Sequence, residues 1–177
     1  MEFRKDAMRE LVLYISRAQR DDMTFGRVKL AKLLYYSDNE AFVRLGEPIT
    51  GANYQKLPEG PAAREFVPLR EEMLLNGDAE EVRFVWPSGL VSLRLQGRDP
   101  DESVFTAEQL KVIDSVVDRF TGVSGTAISK ASHEEIGWRV AADSGTIPYQ
   151  AYFLAPALTD AQREIALRLA QALAPAA

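Results

Sequence analysis

Lys29-Leu30-Ala31-Lys32-Leu33-Leu34-Tyr35-Tyr36-Ser37-Asp38 is the stretch on which the fold of this chain turns. It lies within residues 25–45, where the only glycine is Gly26 and no proline follows until Pro48. At about 3.6 residues per turn, Leu30, Leu34, Ala41 and Leu45 share one side, with Ala31, Tyr35 and Phe42 beside them. An apolar face this wide predicts a helix that runs through the core. Asp38 breaks that face, between the Leu34/Leu45 and Ala31/Phe42 columns. A carboxylate placed there loses water and has to be paired or hydrogen-bonded. The opposite side carries Lys29, Lys32, Tyr36, Asn39, Glu40 and Val43, a mixed stripe expected to be a solvated outer face.

The chain has 177 residues, 46% apolar and 27% charged, enough for one domain with a real core. It contains no apolar run near the ~20 residues of a membrane span, and residues 1–6 lack the apolar core of a signal peptide. There is no cysteine, which removes thiolate zinc sites and cysteine nucleophiles. These features place the chain in the cytoplasm, away from membranes, with no cofactor expected. The net charge of −5 argues against broad electrostatic binding of nucleic acid.

Outward from the central helix, residues 3–20 read as an amphipathic helix, with Phe3, Ala7, Leu11, Tyr14, Ile15 and Ala18 on one face. Thr24 is the expected N-cap of the central helix, and Gly46-Glu47-Pro48 its stop. Residues 49–55 are expected to form a short strand. Pro61 after the turn-rich Leu57-Pro58-Glu59-Gly60 is expected to open a helix that ends at Asn76-Gly77, with Pro68 imposing a kink or a late start. Val82-Phe84-Trp86 and Val91-Leu93-Leu95 alternate across Pro87-Ser88-Gly89, predicting a β-hairpin. Thr106 with Gln109 fits a capping box; Ser124 is expected to cap a further helix, with Trp138 in a short piece behind it. A turn at 144–149 leads to an apolar segment, 152–158. Thr159 with Gln162 repeats the capping pattern before a last helix with Ala161, Ile165, Leu169, Ala172 and Leu173 on one face, and 175–177 are expected to fray. The predicted fold is a single α+β domain over 1–177, mainly helical. Six or seven helices surround the central buried helix, and a small antiparallel sheet or hairpin lies on one side.

Few residues carry candidate chemistry. His133 is the only histidine, and as a lone one it reads as structural rather than as a general base or zinc ligand. Asp38 has no second acid spaced for glycosidase work. It reads as a buried anchor, held by the Trp138 indole N–H, by His133 or by a backbone helix start. The Gly60-Pro61 entry and Gly122-Val123-Ser124-Gly125-Thr126 lack a phosphate-loop pattern and read as turns. Lys29, Lys32 and Tyr36 offer a partner-binding patch, although lysine is a poor interface anchor.

The chain resembles the Panacea domain family, the SocA-like antitoxins of bacterial and phage toxin–antitoxin systems. The resemblance rests on four pieces in order across 24–149. These are the 29–38 stretch; Leu45-Gly46-Glu47-Pro48-Ile49-Thr50-Gly51 followed by Leu57-Pro58-Glu59-Gly60-Pro61; Ser132-His133-Glu134-Glu135 with Trp138; and Ile147-Pro148-Tyr149. Glu59 stands where relatives often carry a bulkier or aromatic residue. The resemblance implies a non-enzymatic antitoxin that neutralises a cognate toxin by direct binding; one member delivers its toxin to a protease. Some relatives carry an extra N-terminal DNA-binding segment, and none is expected here because the chain begins directly with its first helix. The resemblance also implies that Asp38, Ser132, His133 and Trp138 form one buried polar cluster, and it raises Lys29, Lys32 and Tyr36 as the partner-binding stripe. Two other readings stay open: a regulator or scaffold binding DNA or a phage protein, and a hydrolase using His133 and Asp38.

Overall fold

The apolar columns of the 29–38 stretch have to be covered from several directions at once, and the architecture answers that demand. The computed structural model describes residues 1–85, 89, 91–154, 164, 165 and 168. The central helix α2, Arg27–Leu45, follows α1, Lys5–Ala18. Two two-residue strands come next, β1 at Tyr54–Gln55 and β2 at Ala62–Ala63, then α3 at Phe66–Asn76. The hairpin β3, Ala79–Val85, with β4, Val91–Gly97, leads through a 3-10 turn at Glu102–Val104 into α4, Ala107–Phe120. Two further helices, α5 at Gly125–His133 and α6 at Ile136–Val140, precede a 3-10 segment at Tyr149–Leu154.

The fold is α+β and mainly helical, with helices around a buried central helix, as the sequence predicts. Among the described residues it has two antiparallel two-stranded sheets, β1–β2 and β3–β4, where one was expected. Helices α1, α4 and α5, strands β2 and β4 and the 3-10 segment at Tyr149–Leu154 all pack on α2. Leu30, Leu33, Leu34, Tyr35, Ala41 and Phe42 are nearly or wholly inaccessible to solvent. Leu45, expected on the core side, is 37% exposed at the last turn.

The outer stripe is not solvated. Lys29, Lys32 and Tyr36 are 0%, 2% and 4% exposed, and Asn39, Glu40 and Val43 are buried as well. Helices α4 and α5 and the loop at residues 57–61 close over this side. Each polar group is engaged there. The Asn39 side-chain amide donates to the Tyr35 carbonyl at 2.8 Å, Glu40 pairs with Arg44 at 2.6 Å and also with Arg119, and Tyr36 stacks on Phe120 at 4.8 Å.

Several local expectations are corrected. The N-cap of α2 is Gly26, with no side-chain cap. Thr24 instead turns its hydroxyl toward the Asp22 carboxylate, 2.7 Å away, and the Val123 carbonyl, 2.9 Å away. Only the last two residues of the expected 49–55 strand are strand, because Thr50 is drawn to Asp38. Residues after Pro61 form β2 before α3 begins at Phe66, so Pro68 falls in the first turn, where its missing N–H costs nothing. That is the late start the sequence allowed, and α3 stops at Gly77. The Thr106–Gln109 capping box forms with both bonds, and Ser124 caps α5. The hairpin pairs Val85 with Val91 and Val82 with Arg94. Trp86 and Pro87-Ser88 of its turn, the 155–158 part of the apolar segment, the Thr159–Gln162 box and most of the final helix lie outside the described residues; Ile165 is helical and buried.

Candidate functional site

Two buried polar centres hang on α2. The first is Asp38, 0% exposed. It accepts from the Thr50 amide at 2.7 Å and from the Thr50 hydroxyl. The Thr50 oxygen in turn accepts from the Ala52 amide at 3.1 Å, which leaves the hydroxyl proton for Asp38. Tyr54 places its hydroxyl 2.8 Å from Asp38 Oδ2 and 2.9 Å from the Leu34 carbonyl. Tyr149 places its own 3.2 Å from Asp38 Oδ2 and 2.9 Å from the Ala52 carbonyl. Each tyrosine has one proton and two acceptors to choose from. Burial raises the Asp38 carboxyl above the ordinary carboxylate range, opposed by the hydrogen bonds from Thr50, Tyr54 and Tyr149. Burial beside that carboxylate likewise raises the Tyr54 and Tyr149 hydroxyls. The centre ties the segment after α2, strand β1 and the Tyr149 segment to one point on the helix.

The second centre holds the loop 57–61 by its backbone. Three alternate carbonyls are each captured by a different side chain. Trp138 Nε1 donates to Leu57 at 3.3 Å, Ser129 Oγ to Glu59 at 2.5 Å, and Lys32 Nζ to Pro61 at 2.8 Å. Burial lowers the Lys32 ammonium to about 8, partly offset by Glu59. Gly60, at φ +95°, is required: a Cβ there would run into Ser132 Oγ and come within 3.0 Å of Lys32 Nζ. Ser132, fully buried, donates to the Ser129 carbonyl at 2.7 Å. His133, the last residue of α5, stacks on Trp138 with ring centroids 4.0 Å apart, and Lys56 Nζ sits 4.6 Å from the Trp138 ring centroid.

The structure therefore divides the expected cluster. Ser132, His133 and Trp138 gather around the 57–61 loop. Asp38 belongs to a separate centre built from Thr50, Tyr54 and Tyr149, and neither Trp138 nor His133 is among its hydrogen-bond partners. The stripe of Lys29, Lys32 and Tyr36 is placed inside. Lys29 forms a closed ion pair with Asp22 at 2.5 Å. Burial raises the Asp22 carboxyl, but Lys29, the Gly122 amide and Thr24 outweigh it and hold Asp22 at about 2.

Sequence reasoning missed Thr50, Tyr54, Tyr149, Asp22 and Ser129. The one signal available was the demand of Asp38 and Lys32 for buried partners; nothing local says which distant residue answers it.

Among the described residues, no group of three His, Cys, Asp or Glu side chains is placed to hold a metal ion. No described helix is long and apolar enough to cross a membrane. The family model described as "Antitoxin SocA-like, Panacea domain" matches residues 30–139, a span that contains most of α2, the 57–61 loop and α5. No curated protein and no solved structure matches the chain.

Proposed function

The chain belongs to the SocA-like antitoxin family that carries the Panacea domain, and from that premise we propose that it neutralises a toxin by binding it directly. The observation that carries this reading is the family match over residues 30–139, which takes in most of α2 and the elements packed on it from β2 to α5. The two polar centres support it. They use their charged groups to fix loops, and no hydrogen bond, ion pair or ring contact among the described residues brings His133 to Asp38 as a hydrolase would need. The net charge of −5 also fits a protein partner better than DNA.

The test is inducible co-expression with the product of the adjacent reading frame. Growth arrest by that product alone, relieved by this chain, supports the reading; arrest that persists with folded chain present ends it. The half-life of the toxic product separates two routes. A half-life shortened by the chain supports delivery to a protease, and an unchanged half-life supports neutralisation by binding alone.

A further inference from the structure

Two depressions adjoin at the N-terminal end of α2. One, of about 780 Å³, is bounded by Phe25, Val28, Val91 and Leu93 and reaches the start of α5. The other, of about 360 Å³, lies between Ala31, Lys32, Phe66 and Val67. They share Arg27, Val28 and Glu59, and so make one continuous groove. Its aliphatic surface stands open, with Val28, Val67 and Val91 exposed by 41%, 54% and 40%.

The charge in the groove runs against that of the chain. Arg27, Arg70, Arg83 and Lys32 line it, opposed by Glu59. Arg27, at 3.6 Å, and Arg70, at 2.5 Å, share a single carboxylate, Glu81, which leaves a positive surplus in a chain of net charge −5. The α2 helix starts here with no acidic residue in its first turn and no side-chain cap, so the helix dipole adds to that surplus. One wall is the 57–61 loop, pinned through three of its carbonyls, so little ordering remains to be done on binding.

We propose that this groove is the toxin-docking surface, and that its occupant is an acidic amphipathic segment of the toxin. Aliphatic side chains of that segment lie on Val28, Val67 and Val91, and its carboxylates face Arg27 and Arg83. The proposal rests on the antitoxin reading and deepens it: opposite charge sets the approach and the encounter rate, and apolar contact sets the residence time.

The experiment titrates the purified product of the adjacent reading frame into wild-type chain, Arg83→Glu, Val67→Asp and the control Leu75→Asp, with melting temperatures measured alongside. Leu75 is 87% exposed and lies outside the groove. Expected are an affinity at least tenfold weaker for the two groove variants at unchanged melting temperature, wild-type binding for Leu75→Asp, and a salt dependence that is smaller in Arg83→Glu. Equal binding by all four proteins overturns the groove while the antitoxin reading stands. Failure of the wild-type chain to bind removes the antitoxin reading and this proposal together. A dimer of the free chain that Arg83→Glu dissolves, with toxin binding intact, assigns the groove to a second copy and overturns the proposal too.

Discussion

Replacing Asp38 by alanine removes the acceptor on which two fixed donors depend. The Thr50 amide, 2.7 Å from Oδ1, and the Thr50 hydroxyl have no other described acceptor. The tyrosine hydroxyls fare better, since Tyr54 keeps the Leu34 carbonyl and Tyr149 the Ala52 carbonyl, each at 2.9 Å. Two orphaned buried donors at about 1–3 kcal/mol each, together with the small void left behind, put the loss at about 3–5 kcal/mol. Asp38→Asn keeps an acceptor for the Thr50 amide and turns an NH₂ toward hydroxyls that can rotate to accept, so its cost is smaller, about 1–2 kcal/mol. The pH dependence follows from the direction of the carboxyl's shift. Burial raises its folded-state pKa, so between the ordinary carboxylate value and that raised value the folded state holds more protons than the unfolded one. This contribution to stability is fully present below the unfolded pKa and is lost as pH rises through the folded pKa. Urea denaturation at a series of pH values measures it, and the wild type's advantage over Asp38→Asn is expected to shrink as pH rises. Asp38→Ala within about 0.5 kcal/mol of wild type, or a wild-type advantage that grows with pH, would refute the reasoning.

Three further outcomes are expected. Gly60→Ala combines a strained backbone with a Cβ driven into Ser132 and Lys32, and should cost at least ~1–3 kcal/mol by thermal or chemical denaturation. With its pKa depressed to about 8, Lys32 makes stability rise with pH from about 8 toward its ordinary value, because the unfolded state holds the proton longer. That rise should be missing in Lys32→Met, whose denaturation curves are compared across the same range. His133→Ala strips the stacked partner from Trp138 and should lower the melting temperature without selective loss of toxin binding in the protein that remains folded; binding lost at unchanged stability would move His133 to the interface.

The periodicity of residues 25–45 was enough to find the central helix and to place Asp38 in a dry environment, because apolar spacing and the cost of burying a carboxylate are both local facts. The partners of Asp38 were not legible: Thr50, Tyr54 and Tyr149 lie 12, 16 and 111 residues away, and no local pattern marks a hydroxyl as a buried donor. Reading Lys29 and Lys32 as an outer stripe failed for a related reason. A helical wheel separates polar from apolar positions, but it cannot tell a solvated lysine from one neutralised inside by Asp22 or spent on the Pro61 carbonyl. Capping was readable where a side chain bonds within its own helix start, as at Thr106 and Ser124. It failed at Thr24, whose hydroxyl is taken up by the Asp22 carboxylate and by the Val123 carbonyl, 99 residues on.

Direct capture of a toxin is tested most plainly by mixing the two purified proteins and weighing the product by size-exclusion chromatography with light scattering. The expected result is one peak at the mass of a defined complex, shifted back toward the separate proteins by Arg83→Glu. Two unshifted peaks at micromolar concentrations, from proteins that are each folded, would contradict it.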